Sequence, residues 1–236
     1  MFSDLRYFYK NLKRQVKFKR MKKAKVMRTE PRYRAIEKIN SKQPLLDFLP
    51  GSPDYAHVQR YVFAGDLLKS LKNLKILNVA SGSGYGSELL IFNGNMVVGG
   101  DLWMEPLLKS LKNFSKSIFL RLNVENMSCF KDSSFDVVVN FETIEHVFHP
   151  EKAVKEMKNV VKNQGLVIGS IPIDVYHNPG TTFSFKEALR FIDHNFANSE
   201  LYLQDNWRIY PFSMSNWKKV RMQGDKYFIF KYEVKK

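Results

Sequence analysis

Residues 76–87 read ILNVASGSGYGS, an apolar run that feeds into Gly82, Gly84 and Gly86 at alternate positions. Glycine reaches backbone conformations closed to other residues and lets a ligand approach the chain closely. Asp101 ends the next apolar run, 17 residues past Gly84. A carboxylate there can accept hydrogen bonds from both hydroxyls of a ribose, although a surface-loop aspartate would read the same way. A third apolar run leads to Asn123, Val124 and Glu125. The Asn123 amide offers a donor–acceptor edge to an adenine, or simply forms a turn. After a fourth run, the segment Phe141-Glu142-Thr143-Ile144-Glu145-His146-Val147 supplies two carboxylates and an imidazole. Taken in order, these groups point to a nucleoside-containing ligand, with side chains suited to proton transfer or to binding polar substrate atoms close by.

The elements that must position them alternate. Residues 55–71 bear Val58, Tyr61, Val62, Leu67, Leu68 and Leu71 near the helical period. Strands are expected at 74–80, 96–100, 118–122, 135–141 and 166–171. Helices are expected at 84–92 and 106–114, and from Pro150 to a stop at Gly165. This βαβ rhythm implies a parallel sheet with right-handed crossovers. Each candidate group then falls at the carboxyl end of a strand, the edge where open α/β sheets bind ligands. Beyond Pro172 the rhythm changes to a loop at 174–182, a helix at 184–194, and strands at 200–204 and 226–234. That pattern suggests an antiparallel finish.

Charge is unevenly placed along the 236 residues. The chain carries a formal +15, of which residues 1–34 hold +11. The basic excess is thus an N-terminal arm, and the rest is electrically ordinary. Aromatics interleave with cations in the arm, including Phe2, Tyr7, Phe8, Tyr9 and Phe18. Such an arm suits an anionic membrane surface, a nucleic acid, or a solvated tail. The single cysteine, Cys129, excludes an intramolecular disulfide and fits a reducing compartment. No apolar stretch is long enough to cross a membrane, and the charged N-terminus lacks a secretory apolar region. A cytoplasmic protein, peripheral at most to a membrane, is expected. No metal cluster of convincing spacing stands out.

Over residues 58–195 the ordered set resembles a class I S-adenosylmethionine-dependent methyltransferase of the type 11-like small-molecule branch. The glycine motif resembles ILNVASGSGYGS, the ribose acid matches Asp101, and the adenine segment matches Asn123-Val124-Glu125. The segment after the fourth strand resembles NFETIEHV, followed by HPEKAVKEMKNVVKNQG. The resemblance implies an α/β, Rossmann-like, doubly wound and mostly parallel seven-stranded sheet with a reversed last strand. It divides the chain into the arm (1–34) and a methyltransferase domain (35–236). The domain comprises a helical cap (35–72), a cofactor-binding core (74–171) and a substrate-side region with the last strands (172–236). S-adenosylmethionine is the implied cofactor. Its contacts carry onto Asn78, Ala80, Ser81, Gly82 and Gly84, onto Asp101 and Leu102, and onto Asn123, Val124, Glu125 and Asn140. Three departures stand out: Asn78 replaces a usual acid, Ala80 a common glycine and Asn123 a common aspartate. NAD fits poorly, because the third glycine of the dinucleotide fingerprint is Ser87 here.

Methyl transfer to a hydroxyl needs in-line alignment and a base. Histidine titrates near neutrality, so His146 is the first candidate and His177 the second. Glu142 or Glu145 would orient the base or bind the substrate. The Asn/Asp-Pro-Pro-aromatic motif of amine methylation in DNA is absent, and Cys129 lacks the Pro-Cys context of cytosine methylation. Aromatics between 174 and 217 suit the wall of a site for a sugar or a quinone-like ring. The leading expectation is methyl transfer, at oxygen, to a small-molecule, saccharide or lipid-linked acceptor. The alternatives are an RNA methyltransferase that uses the arm, or a non-catalytic binding subunit with a relict fold.

Overall fold

The computed structural model describes residues 53–173, 183–213 and 226–236. The arm, residues 35–52 and the segment carrying His177 lie outside the described residues. The elements run α1 (Pro53–Leu68), β1 (Lys75–Val79), α2 (Tyr85–Leu89), β2 (Met96–Asp101), α3 (Met104–Asn113), β3 (Ile118–Arg121) and β4 (Phe135–Asn140). A 3-10 turn at Ile144–His146 follows, then α4 (Pro150–Val160), β5 (Val161–Ile173), α5 (Phe185–Asn195), β6 (Glu200–Asp205), β7 (Arg208–Pro211) and β8 (Lys226–Glu233).

The described strands form one sheet in the order β3-β2-β1-β4-β5-β8-β6-β7. Strands β1 to β5 pair in parallel. β8 runs antiparallel to β5, so the expected reversal of the last strand is borne out. The sheet has eight strands, however, where seven were expected. The addition is β7, which folds back antiparallel on β6 through Asn206 and Trp207. Its sequence is short and ends in Pro211, a residue that an edge strand tolerates.

Strand alternation sends side chains to two cores. Val138, Phe228 and Phe230 pack with Ala153, Val154 and Met157 of α4 and with Ile192 of α5. On the other face Val137, Val139 and Ile229 pack with Tyr61, Ala64 and Leu68 of α1. Helices therefore cover both faces, which explains the near-continuous apolar runs of β4 and β5.

The junction of α4 and β5 corrects the expected helix stop. The helix ends at Val160, and Val161 is already extended (φ −79°, ψ 141°). Phe135 pairs with Val161 and Val137 with Leu166, so residues 162–165 bulge out of register. Gly165 serves close approach instead: an added Cβ would meet the Asp136 carbonyl oxygen at 2.7 Å.

Candidate functional site

Between β1 and β4 the strand order turns back on itself, and a switch point of this kind is where open α/β sheets bind ligands. A cavity of about 170 Å³ opens there. Its walls come from the end of β1 (Ala80, Ser81, Gly82), the start of α2 (Tyr85), the end of β4 (Phe141, Glu142) and one face of α1 (His57, Arg60, Tyr61).

The glycine turn is built by hydrogen bonds to neighbouring strands. Ser81 N–H donates to the Gly100 carbonyl at 2.9 Å, and Gly82 N–H donates to Asp101 Oδ2 at 2.8 Å. Asp101 Oδ1 accepts from Trp103 N–H at 2.9 Å. Ala80, Gly82 and Gly84 all have positive φ, at 49°, 54° and 87°. An added Cβ on Gly82 would project into open space, so the turn presents bare backbone to the cavity side. Gly86 serves packing: an added Cβ would sit 2.1 Å from the Tyr61 ring.

Asn78 lies beneath this surface. Its Oδ1 accepts from Tyr61 Oη at 3.3 Å and its Nδ2 donates to Ser87 Oγ at 3.0 Å. The amide thus braces α1 against α2 and does not line the cavity. At the end of β4, Asn140 is fully buried, and neither of its amide atoms has a hydrogen-bond partner among the described residues. The Ser81 hydroxyl is likewise buried and unpartnered.

The acidic segment divides its members. Glu142 lines the cavity with φ +55° and pairs with Arg60 of α1, whose side chain is wholly buried. The Arg60 guanidinium lies 4.0 Å from the Tyr227 ring centre, while its Nε and Nη2 have no partner among the described residues. Glu145, three residues on, is buried. Burial, and then the Glu142 charge, push its carboxyl up to about 8. Neither Glu145 oxygen makes a well-formed hydrogen bond, although the backbone near Thr143 and Glu145 partly favours the charged form. Burial, followed by Arg60, lowers His57 to about 3, which leaves it neutral at neutral pH. His146 is exposed on the same 3-10 turn and does not line the cavity.

The adenine candidates lie farther along the edge. Asn123 is exposed, and its Oδ1 accepts from Glu125 N–H at 2.9 Å, as a turn former does. Val124 is buried. Glu125 Oε1 accepts from Phe148 and His149 N–H at 2.8 and 3.3 Å, tying this loop to the one before α4. Leu102 is exposed beside Asp101. Among the described residues no group of His, Cys, Asp or Glu is arranged to hold a metal ion.

Of the cavity wall, Ala80, Ser81, Gly82 and Tyr85 lie in the glycine segment and Phe141 and Glu142 in the acidic segment singled out from the sequence, whereas His57, Arg60 and Tyr61 come from a helix read only as apolar packing. The one available signal was the pairing of His57 and Arg60 one helical turn apart on an otherwise apolar face of α1.

Residues 77–169 match the family model described as a methyltransferase domain. A probable S-adenosylmethionine-dependent methyltransferase of Mycobacterium tuberculosis is 28% identical over 105 residues, covering 44% of this chain and 38% of its own length. A ubiquinone biosynthesis O-methyltransferase of Nitrosococcus oceani is 34% identical over 105 residues, covering 43% of this chain and 44% of its own. The chain therefore spans less than half the length of these relatives. In fold it is similar to a TehB-like S-adenosylmethionine-dependent methyltransferase of Corynebacterium glutamicum, with a TM-score of 0.54 at 17% identity over 85% of this chain and 99% of that one.

Proposed function

Because the chain carries a class I S-adenosylmethionine-dependent methyltransferase domain, we propose that it transfers a methyl group from S-adenosylmethionine to an oxygen of a small-molecule acceptor. The residues present fit the cofactor. Gly82 leaves an open cradle at the cavity edge, and unpartnered polar atoms of Arg60, Ser81 and Asn140 are buried around the site. Bound there, S-adenosylmethionine supplies an activated methyl group on a sulfonium.

The observation that carries this reading is the Arg60–Glu142 pair on the cavity wall beside the glycine turn. One cation and one anion side by side suit the zwitterionic amino-acid end of the cofactor, with the free guanidinium N–H groups for its carboxylate. The backbone of Ala80, Ser81, Gly82 and Gly84 would flank it. Asp101 would accept the ribose hydroxyls with the lone pairs left by Gly82 and Trp103. Leu102, Asn123, Val124 and Glu125 would border the base, while Asn78 would act from beneath by holding Tyr61.

The Glu142 oxygen that Arg60 leaves free would serve both the ammonium of the cofactor and an acceptor hydroxyl, and Glu145 would keep a proton nearby. His146, exposed and off the cavity wall, and His177 are the proposed bases: whichever of the two the bound acceptor reaches would take the hydroxyl proton as the new bond forms. Oxygen as the acceptor atom is supported by the names of the ubiquinone biosynthesis O-methyltransferase relatives. Saccharide and lipid-linked acceptors belong to the same proposal. The test is a screen of labelled methyl transfer to phenols, sugars, lipids and RNA. Label on a hydroxylated small molecule supports the reading, and label on RNA alone overturns it.

A further inference from the structure

Helix α3 has an apolar face that no described residue covers. Met104, Leu108 and Leu111 stand at i, i+4 and i+7, hence on one face, and each is about half exposed. Leu107 and Ser110, on the adjoining face, are buried. Trp103, just before the helix, is 72% exposed, and Ile118 opens the edge strand β3 more than half exposed. Phe148, 93% exposed, is held near the carboxyl end of β3 through the bond from its N–H to Glu125. The border of the α3 face is cationic. Lys112 and Lys116 are exposed, while Lys109 pairs with Glu105 at 2.8 Å.

We propose that this face docks on an anionic lipid bilayer. Trp103, Leu108 and Leu111 enter the headgroup boundary, and Lys112 and Lys116 meet lipid phosphates. Exposed tryptophan and leucine bordered by lysine is the pattern of interfacial membrane binding, and grouped exposed apolar side chains mark an interaction surface. Charge selects among the occupants. The chain's own arm at 1–34 carries +11 and would meet these lysines with like charge. A second copy would bring the same lysines. A nucleic acid would satisfy the lysines and leave the leucines in water. An anionic bilayer satisfies both. Docking of this face is independent of methyl transfer.

The experiment is co-sedimentation of the full chain with vesicles of phosphatidylcholine alone and of phosphatidylcholine with phosphatidylglycerol in equal parts. The parent is expected to sediment with the mixed vesicles and not with the neutral ones. The double variant Leu108→Gln/Leu111→Gln is expected to partition about tenfold more weakly, because two leucine side chains no longer leave water. Lys112→Gln/Lys116→Gln should weaken binding mainly at low salt. Brominated acyl chains should quench tryptophan emission in the parent and much less in Trp103→Phe, a reading that stands even if the leucine variant folds poorly. Equal partition of the leucine variant and the parent, with unchanged quenching in Trp103→Phe, would overturn the proposal by leaving the arm as the sole anchor. A parent that forms dimers in sedimentation velocity, and a leucine variant that does not, would overturn it in favour of a second copy.

Discussion

The carboxylate of Asp101 accepts the amide N–H of Gly82 at 2.8 Å, across 19 residues of chain. The end of β2 thereby fixes the glycine turn that follows β1, while the other carboxylate oxygen holds Trp103 N–H. Asp101→Ala leaves two amides without their acceptor. It should lower stability by about 2 kcal/mol, since an orphaned donor costs on the order of 1–3 kcal/mol and water reaches part of this site. Asp101→Asn keeps one good acceptor and should lose less. Urea unfolding of both variants checks this order.

Ala80 occupies the left-handed region at φ +49°, where an L-residue with a Cβ is strained. Ala80→Gly relieves that strain at the expense of a more flexible unfolded chain. The net effect expected is a gain of up to about 1 kcal/mol, read as a higher urea midpoint with unchanged slope. Gly86→Ala should do the reverse. Its new methyl would collide with the Tyr61 ring, and overpacking of this kind costs about 1–3 kcal/mol.

Arg60 is fully buried, and its partner Glu142 is a quarter exposed. Arg60→Met should destabilise by about 2 kcal/mol, below the range for fully buried pairs because solvent reaches Glu142. Glu142→Gln keeps an acceptor for the guanidinium and should be milder on stability. Both should depress methyl transfer. Urea unfolding paired with turnover separates the two effects.

Glu145 gives stability a pH dependence. Its folded carboxyl sits at about 8, against 4.5 as the ordinary value. Between those values the folded chain holds a proton that the unfolded chain has released, so stability falls as pH rises through the window and levels off above it. His57, lowered from 6.5 to about 3, acts the other way, and its stabilisation is lost as pH falls from 6.5 towards 3. The difference between the parent and Glu145→Gln isolates the first effect. The variant's stability relative to the parent should increase from pH 5 to pH 8, measured as urea midpoints across that range.

The parallel core was legible because β1, β2, β4 and α4 carry their period and their punctuation within a few residues. The end of α4 was not. A run that reads as continuous helix to Gly165 breaks at Val160, because pairing with Phe135 captures Val161 into β5. β7 went unread because a four-residue strand gains its order from β6 rather than from its own pattern. For the site, the glycine turn and Glu142 were readable from their position after strands. Arg60 and His57 were not, since α1 reaches the cavity only through tertiary packing. Asn78 looked like a cofactor contact by position, yet Tyr61 and Ser87 use its amide. Which side of a short turn faces inward is likewise a packing outcome: Glu145 is buried and His146 exposed on the same three-residue turn.

The most direct test of the methyltransferase reading is calorimetric titration of the full chain with S-adenosylmethionine. The prediction is saturable binding at one site per chain, weakened at least about tenfold in Asp101→Ala by loss of the hydrogen bonds to the ribose. Absence of saturable heat up to millimolar cofactor, in a chain that unfolds cooperatively, would contradict it.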